Sequence, residues 1–142
     1  MKVRQSLLIG AVAATALGLV PASVAVASTH SASTTTLRFI ATTTATKSSK
    51  TAFVETGTDT RGKTLLGWYT LSCQFTSSTA ANCGGAGSSL SGTIYFTFPL
   101  STTSKTFSGT VTGGTGAYSG ATGTIKGKSI SSTKDAITIV IR

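Results

Sequence analysis

The chain has 142 residues, a hydrophobic fraction of 39% and two prolines, which fit one compact domain and leave no room for a second. Its formal net charge is +9, with 12 basic residues against three acidic ones. The basic residues lie singly or in loose pairs, so we do not predict a nucleic-acid partner. The single histidine, His30, lies near the N-terminus and not within a predicted strand, so no Ser-His-Asp triad is expected, and three scattered acids disfavour a paired-carboxylate hydrolase.

The N-terminal 27 residues have the pattern of a secretory signal peptide. Lys2 and Arg4 form a basic start, an apolar run covers Leu7 to Val20, and Ala25 to Ala27 is a small-residue cleavage site. A membrane-spanning helix would need about 20 apolar residues, and this run is interrupted by glycines and ended by Pro21. We therefore predict a secreted, extracellular protein without a membrane span.

Three regions follow from that prediction: a signal peptide at 1–27, a disordered N-terminal segment at 28–34 and one domain at 35–142. Cys73 and Cys83 are the only cysteines, and an even number of cysteines in an exported chain predicts a disulfide. Because the residues between them are polar and turn-forming, the bond would join two neighbouring antiparallel strands.

No metal site is predicted. The cysteines lack the CxxC spacing typical of zinc ligands, and the single histidine, His30, lies beside the expected cleavage site. A structural disulfide is the better interpretation of the pair.

The mature chain shows period-two patterning of β-branched and aromatic residues, interrupted by glycine and serine at short intervals. No segment has a helical period, so we predict an all-β fold with about eight antiparallel strands, either a sandwich or a closed barrel. A barrel has the advantage that it leaves no exposed sheet edge. In chain order the predicted strands are TTLRFIATTTA, TAFVETGT, TLLGWYTLSCQF, the segment around Cys83, LSGTIYFTF, SKTFSGTVT, YSGATGTIKG and DAITIVIR.

The alternation is clearest in LSGTIYFTF, residues 90–98. There Leu90, Ile94, Phe96 and Phe98 fall on one face, and serine, threonine and tyrosine fall on the other. Such a strand buries one face and exposes the other to water.

The segment GTDTRGKT, Gly57 to Thr64, matches the phosphate-binding pattern G-x-x-x-x-G-K-[ST]. That pattern binds phosphate only where it follows a parallel strand and begins a helix. Here it continues into a predicted strand, so a hairpin turn with Gly62 at positive φ is the better interpretation.

Candidate functional side chains are few. Glu55 shares a strand face with Phe53, and if that face lines the interior, its desolvated carboxyl could act as a general acid or base. An exterior or rim glutamate is the alternative. Tyr69, Tyr95 and Tyr118 could line an apolar pocket, or they could belong to the ordinary core and surface of a small barrel.

One segment carries more specific information. VTGGTGAYSGATG, Val111 to Gly123, resembles the G-G-T-G-x-aromatic-x-G-A-x-G segment of the allene oxide cyclase and dirigent barrel superfamily, in particular its small secreted bacterial members. The resemblance implies an eight-stranded antiparallel barrel with a central cavity and one hairpin disulfide, and a trimer as in the plant relatives. Gly113, Gly114 and Gly116 would then form a tight turn between two barrel strands.

The same resemblance implies a function. Its members guide cyclisation or coupling of a reactive substrate by confining it, without a metal or organic cofactor. Where many relatives carry arginine, this chain has Thr122. Two functions stay open: a secreted barrel that binds a small hydrophobic molecule and guides its cyclisation or isomerisation, and a non-catalytic extracellular or cell-envelope structural or binding protein.

Overall fold

Antiparallel strands make up most of the part of the chain that the computed structural model describes, residues 33–142. They pair in sequence order, and β8 pairs with β1, so that the sheet closes into an eight-stranded barrel. The predicted all-β barrel is confirmed, while the predicted signal peptide at 1–27 and most of the segment 28–34 lie outside the described residues. No helix within 33–142 has the length and apolarity needed to cross a membrane. The strands are β1 (Thr35–Ser48), β2 (Ala52–Arg61), β3 (Thr64–Phe75), β4 (Ala80–Ser89), β5 (Gly92–Ser101), β6 (Thr106–Gly114), β7 (Gly123–Ser131) and β8 (Lys134–Ile141).

Period-two alternation decides which side chains face the barrel interior, as β5 shows. Ile94, Phe96 and Phe98 are buried, whereas Tyr95 and Thr97 between them are exposed. The same alternation runs through β8, where every second residue from Ile137 onward is an isoleucine buried in the core. Leu90 does not share the inner face of β5 as the sequence suggested, because it lies in the turn between β4 and β5 and is fully exposed.

Inward-facing glycines make room for aromatic rings inside this narrow barrel. A Cβ at Gly57 would collide with the ring of Tyr69 on the neighbouring strand, and one at Gly127 would collide with the ring of Phe107. Each ring therefore covers bare backbone, which fills the interior without side-chain clashes. These glycines, which lack a side chain of their own, are thus part of the core packing.

The disulfide joins residues that are directly opposite each other. Cys73 on β3 pairs in register with Cys83 on β4, and their sulfur atoms are bonded at 2.02 Å. Both side chains are buried in the barrel core. The predicted hairpin disulfide is confirmed.

The glycine-rich segment connects β6 to β7 and is not a simple two-residue turn. Gly113 and Gly114 end β6, and a single 3-10 turn follows at Gly116–Tyr118. Gly116 has φ +60°, and a Cβ there would stand 2.6 Å from the carbonyl oxygen of Ser91, so only glycine fits. The predicted strand start at Tyr118 is too early, since β7 begins at residue 123.

The segment that matches the phosphate-binding pattern forms a hairpin. Gly62 and Lys63 make the turn between β2 and β3, and Gly62 has φ +61°. Because Thr64 begins an antiparallel strand, the segment offers no helix N-terminus to a phosphate group.

Candidate functional site

A cavity of about 480 Å³ occupies the interior of the barrel. Its wall includes residues near the turns at both ends, such as Arg61 and Leu90 at one end and Ser104 and Ser132 at the other. A cavity of this size suits a small organic molecule. Most of its wall consists of apolar side chains, among them Leu37, Phe39, Phe53, Leu71, Ile94, Phe96, Ile125, Ile137 and Ile139.

All three acidic residues of the chain lie in the wall of this cavity. Asp59 on β2 and Asp135 on β8 are both register partners of Ala41 on β1, so they flank the same small residue from opposite sides. With strands spaced about 4.8 Å apart, their Cα atoms are roughly 10 Å apart. Glu55 is on the same face of β2 as Asp59, four residues earlier.

Asp59 is the most deeply buried of the three carboxylates. It is 7% exposed, and its Oδ1 atom has no hydrogen-bond partner. The other carboxylate oxygen points towards Gly87, where a Cβ would be 3.7 Å away. Burial raises the pKa of Asp59 to about 6, because the charged form loses its hydration and gains no compensating contact.

Glu55 and Tyr69 belong to one polar cluster with Thr43. The Tyr69 and Thr43 hydroxyl groups are hydrogen-bonded at 2.8 Å. Burial raises the pKa of Glu55, repulsion from Asp135 raises it further, and a hydrogen bond with Thr43 partly opposes both effects. Burial also raises the pKa of Tyr69, with added repulsion from the three carboxylates. Tyr69 therefore stays a neutral hydroxyl among acidic neighbours.

The basic residues of the barrel are exposed to solvent. Every lysine and arginine within residues 33–142 is exposed. Arg61 is the single basic residue among the cavity-lining residues of this part of the chain, and its Nε donates a hydrogen bond to the carbonyl oxygen of Arg38 at 3.2 Å. The exposed basic residues thus surround a cavity whose wall is largely apolar and contains the three acids.

The carboxylates are too dispersed for a metal site. Across residues 33–142 no three histidine, cysteine, aspartate or glutamate side chains come together as a group that could hold one metal ion. The spacing across Ala41 instead leaves room for an organic group between the two aspartates.

Three of the four candidate side chains predicted from the sequence line the cavity, and the fourth does not. Glu55, Tyr69 and Tyr118 line the cavity, which brings these three candidates together. Tyr95 does not line it, because it lies on the outer face of β5 and is 43% exposed. The alternation along β5 is consistent with this, since Tyr95 is out of phase with the buried Ile94 and Phe96.

Sequence reasoning missed Asp59 and Asp135. A signal was present in both cases, since Asp59 is in phase with Glu55, and Asp135 is in phase with the isoleucines of β8. Asp59 was instead assigned to the hairpin turn, although that turn starts only at Gly62. An acidic residue at an inward position is unusual in a barrel core and marks a candidate site.

No family model matches the chain, and no curated protein matches it. Solved structures do. A pyocyanin demethylase superposes with a TM-score of 0.69 at 15% identity, over 76% of this chain and 100% of that one. A pterocarpan synthase dirigent protein superposes with a TM-score of 0.62 at 14% identity, over 77% and 87%.

An exo-specific intermolecular Diels-Alderase superposes with a TM-score of 0.59 at 11% identity, over 77% of this chain and 98% of that one. At such identities the likeness concerns the backbone arrangement and not the chemistry. The closed eight-stranded topology and these superpositions lead to one conclusion: the chain has the fold of the allene oxide cyclase and dirigent-like barrels.

Proposed function

We propose that this protein binds a small, largely apolar molecule inside the barrel and guides its cyclisation or isomerisation. The observation that carries the proposal is a largely apolar cavity of about 480 Å³ whose wall contains a small number of ionisable groups, among them Glu55, Asp59 and Tyr69. Confinement in such a cavity restricts the conformations of a flexible substrate to those that can react.

The ionisable groups suit proton transfer at near-neutral pH. A carboxyl with its pKa raised to about 6, as for Asp59, is ionised at pH 7 yet takes up a proton readily. In an isomerisation, the carboxylate takes a proton from one atom of the substrate and returns it to another. Such a reaction is redox-neutral and consumes no cofactor.

Structural neighbours that include a dirigent protein and a Diels-Alderase support a barrel that guides bond formation in general. Export is part of the same proposal, on the evidence of the sequence pattern at 1–27 and of the disulfide between Cys73 and Cys83. The intact mass of protein from culture medium tests it, because cleavage after Ala27 predicts a chain beginning at Ser28.

Ligand binding is tested with N-phenyl-1-naphthylamine, a neutral dye that fluoresces in apolar sites. We expect saturable binding to the wild type and its loss in Ala41→Leu, since Ala41 is a buried residue of the cavity wall. Ala86→Leu is the matched control, because Ala86 faces outward opposite Tyr95. Equal binding by both variants would place the dye outside the cavity and contradict the proposal.

Native mass spectrometry of protein purified from the producing cells tests two further parts of the proposal. A bound small molecule of defined mass would identify a substrate or product for assays with Glu55→Gln. The same spectrum measures assembly, for which the resemblance predicts a trimer. If neither a dye nor a copurified molecule binds, the barrel is a non-catalytic scaffold.

A further inference from the structure

The distribution of charge in this barrel is the reverse of that in an ordinary soluble protein. Acidic side chains are normally exposed and help solubility. Here all three acids line the cavity, whereas every lysine and arginine of residues 33–142 is exposed. In a chain of net charge +9, all the acidic side chains therefore lie in the wall of one cavity.

Burial of Asp59 is costly, and no nearby positive charge within residues 33–142 offsets it, whereas Glu55 and Asp135 are only partly buried. Asp59 is 7% exposed and its Oδ1 atom has no partner. Asp135 accepts a hydrogen bond of 2.7 Å from the Ser129 hydroxyl, which is a neutral donor. Removing a carboxylate from water without a counter-charge destabilises a protein. A ligand that pairs with the buried carboxylate would offset this cost.

We infer that the ligand of the cavity is an organic cation, a compact apolar molecule that carries one quaternary or protonated nitrogen. This inference rests on the proposed function, since it names the class of molecule that the cavity would bind. The nitrogen would lie over Ala41, between Asp59 and Asp135, with Glu55 nearby. The apolar body would contact the wall formed by residues such as Leu71, Phe96 and Ile137.

Geometry favours an organic cation over a metal ion. Asp59 and Asp135 are separated by the full width of β1, because each pairs with Ala41 from its own side. A cation with its charge spread over several carbon substituents can contact both carboxylates at once, whereas a metal ion needs ligands within about 2.5 Å. No group of metal-ligating side chains forms within residues 33–142.

The inference also predicts a pH dependence. The groups around Asp59 are Thr43 on β1, Glu55 on β2, Tyr69 on β3 and Asp135 on β8, with Arg61 near the β2–β3 turn. Apart from Arg61, none of them adds positive charge. Protonation of Asp59 and Glu55 at low pH would remove the negative charge that attracts the ligand, so affinity for a cation of fixed charge should fall below about pH 6.

The test compares two molecules of the same shape. Phenyltrimethylammonium carries a fixed positive charge, and tert-butylbenzene is its neutral carbon isostere. Each is titrated against the complex with N-phenyl-1-naphthylamine at pH 8 and pH 5 in 0.15 M salt. We expect the cation to displace the dye at least tenfold more tightly than its isostere at pH 8, with most of that preference lost at pH 5.

Variants test whether the preference for the cation over its neutral isostere arises inside the cavity. Asp59→Asn and Asp135→Asn should each reduce the preference for the cation several-fold while dye binding persists. Thr110→Lys is the matched control, because Thr110 is exposed on β6 and lysine there changes the net charge by the same one unit outside the barrel. It should leave the preference unchanged.

Each other outcome has a defined meaning. If the dye binds and the isostere displaces it as well as the cation does, the inference is wrong and the proposed function stands. If the preference survives in both asparagine variants, the cation binds elsewhere and the inference is also wrong. If neither the dye nor either competitor binds, the proposed function fails, and the inference fails with it.

Discussion

Asp59 and Asp135 face the barrel interior on either side of Ala41, one on each strand that pairs with β1. In the sequence they are far apart, and the closure of the barrel between β1 and β8 brings them together. Their shared neighbour, Ala41, has only a methyl group as its side chain, so it fills little of the space between the two aspartates. This relationship underlies the proposed cation site.

The stability of the protein should depend on pH through Asp59. Its pKa rises from 3.8 to about 6 on folding, so between these pH values the folded protein holds a proton that the unfolded chain has lost. The free energy of unfolding therefore falls as pH rises through this range. Between pH 4 and pH 8 the wild type should lose about 2 kcal/mol more than Asp59→Asn, a value reduced to allow for solvent screening.

Urea unfolding at both pH values measures this difference. Near pH 4 the side chain at position 59 is neutral in the folded state of both proteins, so their stabilities should differ least there. Equal pH dependence in the two proteins would show that Asp59 is not desolvated.

Repulsion between Asp135 and Glu55 should be visible in the titration of Glu55. Asp135 is the neighbouring charge that raises the pKa of Glu55, so Asp135→Asn should lower that pKa. Burial still acts, and the pKa should stay above its ordinary value of 4.5. The ¹³C chemical shift of the Glu55 carboxyl carbon, followed against pH, measures the change, and Asp59→Asn should leave it almost unaltered. An equal effect of both variants would contradict this assignment.

Gly57 should be intolerant of any side chain. A Cβ there would collide with the carbonyl oxygen of Thr42 and with the ring of Tyr69, so Gly57→Ala should destabilise the barrel by about 2 kcal/mol or more. Gly84→Ala is the matched control, because the nearest atom to a Cβ at Gly84 is 3.8 Å away. Thermal melting compares the two variants, and similar melting temperatures would refute the packing of Tyr69 over Gly57.

Tyr69 and Tyr95 should respond differently to loss of the hydroxyl group. Tyr69→Phe removes a half-buried hydrogen bond to Thr43, at a cost of about 1 kcal/mol, and should alter dye affinity. Tyr95→Phe changes only the outer face of β5 and should affect neither property. Fluorescence titration and urea unfolding measure both, and a binding defect in Tyr95→Phe would move the site to the exterior.

The disulfide should contribute substantially to stability. It closes a short loop between paired strands, and disulfides of this kind typically contribute about 2 to 3 kcal/mol. Cys73→Ala combined with Cys83→Ala should lower the urea midpoint accordingly. Because both sulfur atoms are buried, mild reductant should leave the folded protein intact and cleave the bond only under unfolding conditions. Rapid reduction without denaturant would contradict the burial.

Much of the candidate site was readable in the sequence, with instructive exceptions. Glu55 and Tyr69 were identified because each shares a strand face with apolar residues. Asp59 was not identified, because it lies in the segment GTDTRGKT, which was interpreted as a hairpin turn and not as part of a strand. Tyr95 was named as a pocket residue although the alternation in its strand already put it on the face opposite Ile94 and Phe96.

What the sequence by itself determined was local: the strands, the alternation of inner and outer residues, the hairpin that joins Cys73 to Cys83, and the glycine-rich segment typical of a barrel family. Only the tertiary structure decided which strands meet, in which register and around how large a cavity. A period of two assigns a residue to a face, but it carries no information about its neighbours on other strands. The pairing of Ala41 with both Asp59 and Asp135 arises from barrel closure, which no local pattern encodes.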